Sequence, residues 1–483
     1  MRYQSSRSKG ILVTASQAIL QGLAPDGGLF LPEALPRPDF ASWQNDSYQT
    51  LAEKIFSIFL SDFDDQAIQG LVARSYGSNF QDPEITPLHR LDQGTSVLEL
   101  WHGPTLAFKD LALQALPHLF REAKKIQGLE EDFLILTATS GDTGKAAMAG
   151  FAGVPASYLA VFYPDGGVSQ IQERQMLMPG PPNVAAFAME GNFDDCQRVV
   201  KALMQDQAFI TGLARRGIRL TSANSINIGR LIPQMVYYLY AYFRTVKAYG
   251  DPLSLVVPSG NAGNILAARY VKAMGLPLAR IRLASNENKV LYDFLTSGHY
   301  DARRSLVKTS SPSMDILIAS NLERYLHLLT GDEALILDLM EELKVHGHFS
   351  FDPQLLDLDA SWVNEDQVGD TIRRVYQDYA YLLDPHTAVA ARAAFDADDP
   401  GPRLIVSTAS PYKFADSVLE ALGPDLTEAG QDPLDKIQAL LGTPLPPGIQ
   451  ELKEKRPLAR RRIQPWQAQE AVKALLGVKN DET

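Results

Sequence analysis

The stretch FLILTATSGDTGKAAMAGF, residues 133–151, passes from an apolar run through a glycine turn into small residues at helical spacing. The run is too short for a buried helix and is closed by turn residues, so it predicts strand, turn and helix in succession, the repeating unit of a parallel sheet. The same rhythm recurs in YLAVFY (158–163), NVAAFAM (183–189), SLVVP (254–258), IRLAS (281–285) and LIVST (404–408). Runs rich in Val, Ile and Leu without polar alternation belong to strands covered on both faces. The fold class is α/β, with parallel-sheet large and small domains.

Working outward, residues 1–95 form an N-terminal helical subdomain, with helical periodicity over 49–73 and turns at Pro25–Gly28 and Pro32–Pro38. Residues 133–244 make the small α/β domain, while 96–132 and 245–425 make the large one, mostly helical between 286 and 400. Residues 426–483 are a C-terminal helical extension. Its basic run ELKEKRPLARRRIQ (451–464) predicts a solvated helix flanking Pro457 and is given no function.

With 483 residues, 45% hydrophobic and 21% charged, the chain exceeds a single small module and has the apolar content of a folded protein. A net charge of -12 repels nucleic acid and anionic membranes, so neither is expected as a partner. The single cysteine, Cys196, makes no internal disulfide, and no Cys/His spacing suits a structural zinc. No window reaches the roughly 18 to 20 uninterrupted apolar residues of a membrane helix. The opening residues are expected to be a mature start and the compartment cytoplasmic.

Ligands of open α/β sheets bind beyond the carboxyl ends of strands. After SLVVP, the loop Ser259-Gly260-Asn261-Ala262-Gly263-Asn264 enters a helix, so its N–H groups suit a phosphate, although a simple turn has the same look. After FLILTAT, the turn Ser140-Gly141-Asp142-Thr143-Gly144-Lys145 departs from the P-loop pattern, with Thr139 where the first glycine belongs and Ala146 after the lysine; its N–H groups and hydroxyls suit a carboxylate. In LWHGPTLAFKD (100–110), Lys109 opens a helix among apolar neighbours. Desolvation there favours the neutral amine that forms Schiff bases, against the alternative of a surface lysine. His102 reads more readily as structural than as a base. LIVST ends in Ser407-Thr408, and a hydroxyl at this strand end either caps the next helix or, in a pyridoxal enzyme, faces the ring nitrogen.

Together HGPTLAFKD (102–110), SGDTGKAA (140–147), TSANSINIGR (221–230), PSGNAGN (258–264) and STASPYKF (407–414) resemble threonine synthases, of the pyridoxal-phosphate fold type II superfamily. QGLAPDGGLFLP (21–32) is similar to the N-terminal segment of the long-form members. The resemblance implies that Lys109 carries pyridoxal 5'-phosphate, whose phosphate lies on Gly260, Asn261, Ala262, Gly263 and Asn264, with Thr408 at its ring nitrogen and Asp142 near its phenolic oxygen. It implies that Thr139, Ser140, Gly141 and Thr143 hold the substrate carboxylate. Asn224, Ser225 and Arg230, helped by Thr143 and Lys145, would take the substrate phosphate. Many long-form members read SGNFGD and STAHPAKF, whereas Ala262, Asn264, Ser410 and Tyr412 occupy the differing positions here.

The implied reaction converts O-phospho-L-homoserine and water to L-threonine and phosphate, with the smaller domain closing over the ligand. The alternatives are a dehydratase or phosphohomoserine lyase of the same fold and, from another class, a non-catalytic phosphate-ligand sensor. Both monomer and homodimer stay open.

Overall fold

Phe133 and Ile135 bury their side chains in one core, and their neighbours Leu134 and Leu136 in another. This two-sided burial is what a parallel strand between helical layers requires. The computed structural model describes residues 1–139, 141–423 and 431–477. Its smaller sheet runs Arg462–Ile463, Val184–Met189, Ser157–Pro164, Asp132–Ala138, Ile218–Ser222, with every pairing parallel.

The larger sheet runs Asp359–Trp362, Leu278–Ser285, Leu253–Pro258, Arg403–Ser407, Thr95–Glu99, Leu88–Arg90. Its pairings are parallel except the last, which is antiparallel. Leu255 and Val257 face one core, whereas Val256 and Ile405 face the other. Between the sheets lies the helix Ile228–Thr245, buried along Ile228–Phe243 and packed against the helices Tyr48–Phe59 and Gly263–Ala273. A helix apolar or aromatic on all sides belongs inside.

All six apolar runs singled out in the sequence are strands. Thr95–Glu99 and Ile218–Ser222 escaped that reading because Thr95, Ser96, Arg219 and Ser222 interrupt their apolar pattern. The N-terminal region has its helices Tyr48–Phe59 and Asp65–Ser75, but also an antiparallel sheet of Ser8–Val13, Tyr3–Ser5 and Phe30–Pro32, two of whose strands are too short to show a period.

The C-terminal extension is helical over Pro433–Leu441, Pro447–Glu454 and Ala468–Leu475, but it also gives Arg462–Ile463 to the smaller sheet. Its basic run is therefore not one solvated helix. Arg460 pairs with Asp165 at 2.8 Å and with Glu173, and Arg462 pairs with Asp165 at 3.0 Å. These partners come from distant sequence, which a local charge pattern does not reveal. No helix among the described residues is long and apolar enough to cross a membrane.

Candidate active site

Five segments that leave strands at their carboxyl ends converge between the sheets. Lys109 follows Thr95–Glu99, the Gly141 turn follows Asp132–Ala138, Arg230 follows Ile218–Ser222, the Gly260 loop follows Leu253–Pro258, and Thr408 follows Arg403–Ser407. Lys109 begins the short helix Lys109–Leu113, and its side chain is 12% exposed. Its Nζ donates to Ser313 Oγ at 3.1 Å and lies 3.5 Å from Asp142 Oδ2. Burial lowers its proton affinity below that of an ordinary lysine; Asp142 opposes this, and the positive charges of Lys413 and Arg230 add to it.

Asp142 stands in the first turn of the helix Asp142–Phe151. Lys413 Nζ lies 2.7 Å from Oδ1, Gln172 donates to the same oxygen at 3.0 Å, and Ser313 donates to Oδ2 at 3.2 Å. Burial alone would raise this carboxyl, but Lys413 and Lys109 outweigh it and hold it far below the usual carboxylate range. The turn before it is tightly made. Gly141 has φ 135°, and a Cβ there would lie 2.4 Å from the Gln172 side chain. Thr139 Oγ1 accepts from Gly141 N–H at 3.0 Å and Gly144 N–H at 2.9 Å, so this oxygen is engaged within the turn. Ser140 lies outside the described residues. Thr143 is partly exposed beside Asp142.

Arg230 is 3% exposed in the first turn of its helix. Nη1 donates to Ala223 O at 3.1 Å, Nε has no partner, and it makes no ion pair among the described residues. Burial pushes it down to about 10. Next to it in sequence, Asn224 N–H donates to Ser222 Oγ at 3.2 Å. Ser225 Oγ shares a 3.1 Å hydrogen bond with Ser320, whose hydroxyl also donates to Asn261 Oδ1 at 3.0 Å. This links the Arg230 turn to the glycine loop.

That loop opens the helix Gly263–Ala273 with Ala262 left-handed at φ 58°. A Cβ at Gly260 would lie 2.7 Å from Ser313 O. Asn264 Oδ1 accepts from Tyr237 at 2.5 Å and Tyr238 at 2.6 Å, while its Nδ2 is buried without a partner. Thr408 is buried, its carbonyl accepting from Phe108 N–H at 2.9 Å, and Ser410 Oγ nearby in sequence is a buried hydroxyl without a partner.

The structure thus brings Lys109, Asp142 and Arg230 into one electrostatic unit and joins it through Ser313 and Ser320 to the Gly260 loop. It does not bring Lys145 into contact with Arg230: Lys145 is half-buried and feels Glu451, Asp110 and Lys413. His102 Nε2 pairs with Glu99 at 2.6 Å, a structural bond. Sequence reasoning missed Ser313, Lys413, Gln172 and His386, which sit outside any glycine turn. Only Lys413 lay within a quoted motif.

The family description "Pyridoxal-phosphate dependent enzyme" matches residues 81–408, and "Threonine synthase N terminus" matches residues 2–76. The chain is 37% identical over 462 residues to a threonine synthase of Saccharomyces cerevisiae, covering 87% of this chain and 89% of that one. It is 39% identical over 433 residues to threonine synthase-like 1 of Homo sapiens, covering 84% of this chain but spanning only 58% of that relative's length. The crystal structure of a pyridoxal-phosphate-bound threonine synthase from Brucella melitensis superposes with a TM-score of 0.88 at 35% identity, over 98% of this chain and 99% of that one.

Proposed function

The chain belongs to the threonine synthase family of pyridoxal-phosphate dependent enzymes, and from that membership we propose that it converts O-phospho-L-homoserine and water to L-threonine and phosphate. The residues present fit the family's cofactor. Position 260 has room for backbone but not for a Cβ, the Asn264 amide is an unmatched buried donor, and Lys109 offers an amine of lowered proton affinity. Lys109 would hold the cofactor, Gly260 to Asn264 its phosphate, and Thr408 its ring nitrogen, with Asp142 on the phenolic side. When bound, pyridoxal phosphate supplies an electron sink for charge developing on substrate carbon.

The remaining work falls to the chain. Lys109 Nζ takes a proton from substrate carbon and returns one, a role suited to an amine whose proton affinity burial lowers. Asp142 stays ionised between Lys413 and Lys109, fixing the charge on that side of the site. Arg230 receives the substrate phosphate with Asn224, Ser225 and Thr143, and its forked donors stabilise charge growing on the departing oxygens. With the Gly141 and Gly144 N–H groups held by Thr139, the other N–H groups of this turn and the Thr143 hydroxyl take the carboxylate. Enclosure between the sheets keeps bulk water from the reacting carbon.

One observation carries this reading: a guanidinium buried to 3% exposure, with an idle Nε and no carboxylate partner among the described residues, felt electrostatically by Lys109. An unpaired buried charge is costly, so such a group makes sense where an anionic ligand completes it. A dehydratase of the same fold needs no phosphate pocket. Assaying phosphohomoserine and threonine side by side tests the proposal. Threonine and phosphate should appear in equal amounts from phosphohomoserine; a keto acid without threonine would overturn it.

A further inference from the structure

The short turn Pro312–Met314 belongs to none of the motifs that point to the reaction, yet its Ser313 touches both members of the central ion pair. Ser313 Oγ accepts from Lys109 Nζ at 3.1 Å and donates to Asp142 Oδ2 at 3.2 Å. A hydroxyl has one proton to give, so with that proton turned to Asp142 its lone pairs are presented to the lysine. The carboxylate thereby sets the hydroxyl to receive an ammonium.

The turn is placed from two sides. Gly260 lies beneath it, with its notional Cβ only 2.7 Å from Ser313 O. On the other side Ser313 N–H donates to His386 Nε2 at 3.2 Å. Because Nε2 accepts, Nδ1 carries the proton that bonds Asp384 Oδ1 at 2.8 Å, a tautomer assigned from the bonding pattern. Asp384 caps the helix Pro385–Asp396, accepting from the N–H groups of His386 and Thr387 and from the Thr387 hydroxyl. His386 is 3% exposed and Asp384 1% exposed. A histidine whose acceptor nitrogen is occupied by a backbone N–H is not free to act as a base. What the pair does control is where Ser313 sits.

Resting on the reading of Lys109 as the cofactor lysine, we propose that Ser313 is a catalytic hydroxyl that receives the Lys109 ammonium whenever this lysine is not joined to the cofactor, and that Asp384 and His386 are positioning residues that hold Ser313 in place. Without the hydroxyl, the ammonium keeps the 3.5 Å contact to Asp142, which is long for a hydrogen bond, and the Phe108 ring 5.6 Å from its Nζ. The amine is then freer and more nucleophilic.

Competitive acylation of Lys109 in the cofactor-free full chain, followed by peptide mapping, tests this. Lys9, three-quarters exposed, serves as the internal reference. Borohydride mapping of the loaded protein is run in parallel. Ser313→Ala should raise the Lys109 rate at neutral pH roughly tenfold, the value of one charge-assisted hydrogen bond. His386→Leu should act in the same direction. His386→Gln, whose amide oxygen can accept the Ser313 N–H, should restore most of the protection, which a merely structural role would not predict. In the loaded enzyme kcat should fall more than KM changes. If His386→Leu does not fold, Ser313→Ala decides alone, since its side chain is on a half-exposed turn. Equal acylation of wild type and Ser313→Ala, with the borohydride label on Lys109 in both, overturns the proposal and leaves the cofactor lysine assigned. A label on another residue removes that assignment first, and this proposal with it.

Discussion

Arg230 and Arg324 are the same residue at the same depth, 3% and 0% exposed, and burial pushes each down to about 10. Their surroundings differ. Arg324 donates to Phe30 O at 2.9 Å, Asn321 Oδ1 at 2.8 Å and Ile226 O at 2.5 Å, joining the N-terminal sheet, its own helix and the Arg230 turn. Among the described residues Arg230 has a single carbonyl partner and an idle Nε. Depth and residue type therefore do not separate a clasped arginine from the one proposed to await a ligand. The count of satisfied donors does, because a buried group left unpaired costs more than a made bond returns.

The strongest way to break this contrast is to remove the satisfied arginine. Arg324→Met leaves three acceptors without their donor, and at about 1 to 2 kcal/mol each the stability should fall by roughly 3 to 6 kcal/mol. Denaturant melts measure this, and turnover per folded molecule should stay close to wild type. The unsatisfied arginine should behave in the opposite way. Arg230→Gln should lower kcat/KM for the phosphorylated substrate by about 10²- to 10³-fold, as loss of one charge-stabilising donor does elsewhere. Its melting temperature should hold or rise, since an uncompensated buried charge is gone. A large loss of stability in Arg230→Gln would erase the distinction.

How much of this was legible beforehand follows the same line. Arg230 in TSANSINIGR and Lys109 in HGPTLAFKD were named as site candidates through the resemblance of those motifs to a known family; the apolar helix start alone left Lys109 open between an active amine and a surface lysine. That one arginine would be buried with idle donors and the other clasped could not be seen, since Arg324's partners lie at Phe30 and Ile226. Strands apolar on both faces, such as Leu253–Pro258, announce themselves locally, whereas Arg462–Ile463 is a strand only because the edge of the smaller sheet is there to receive it. Ser313 and His386 were missed for the same reason: a turn serine and a helix-start histidine have common local roles, and only folding brings them to Lys109 and Asp142.

Two carboxylates sharpen the contrast with the opposite sign of charge. Asp142 has two ammonium neighbours and is held far below the usual range. Asp110 is wholly buried, accepts from Thr105 N–H at 2.8 Å and Thr105 Oγ1 at 2.6 Å, and forms no ion pair among the described residues. Burial pushes it up to about 6. Between the unfolded value of about 4 and this raised one, the folded state binds the extra proton. Stability should therefore fall as pH rises through that window, by up to roughly 3 kcal/mol. Asp142 is shifted the other way, so its contribution is intact at neutral pH and lost only as pH drops below the ordinary carboxylate range. Asp110→Asn should flatten the slope between about pH 4 and 6 in pH-dependent melts, while Asp142→Asn should leave it.

The smallest effect tests the idle donors directly. On the proposed assignment the Gly260 loop is engaged in the cofactor-loaded protein, which leaves Arg230 as the charged destination for added inorganic phosphate. A ligand that binds only the folded state stabilises by mass action, about 1.4 kcal/mol at tenfold its Kd, which thermal melts resolve as an upward shift. Arg230→Gln should lose most of this shift. Arg324→Met, once its lower baseline is subtracted, should keep it, because every nitrogen of the guanidinium it removes is already bonded within the protein. Phosphate shifts of equal size in wild type and Arg230→Gln would mean that the unpaired Nε is not held open for an anion, and the difference between the two arginines would then be one of packing alone.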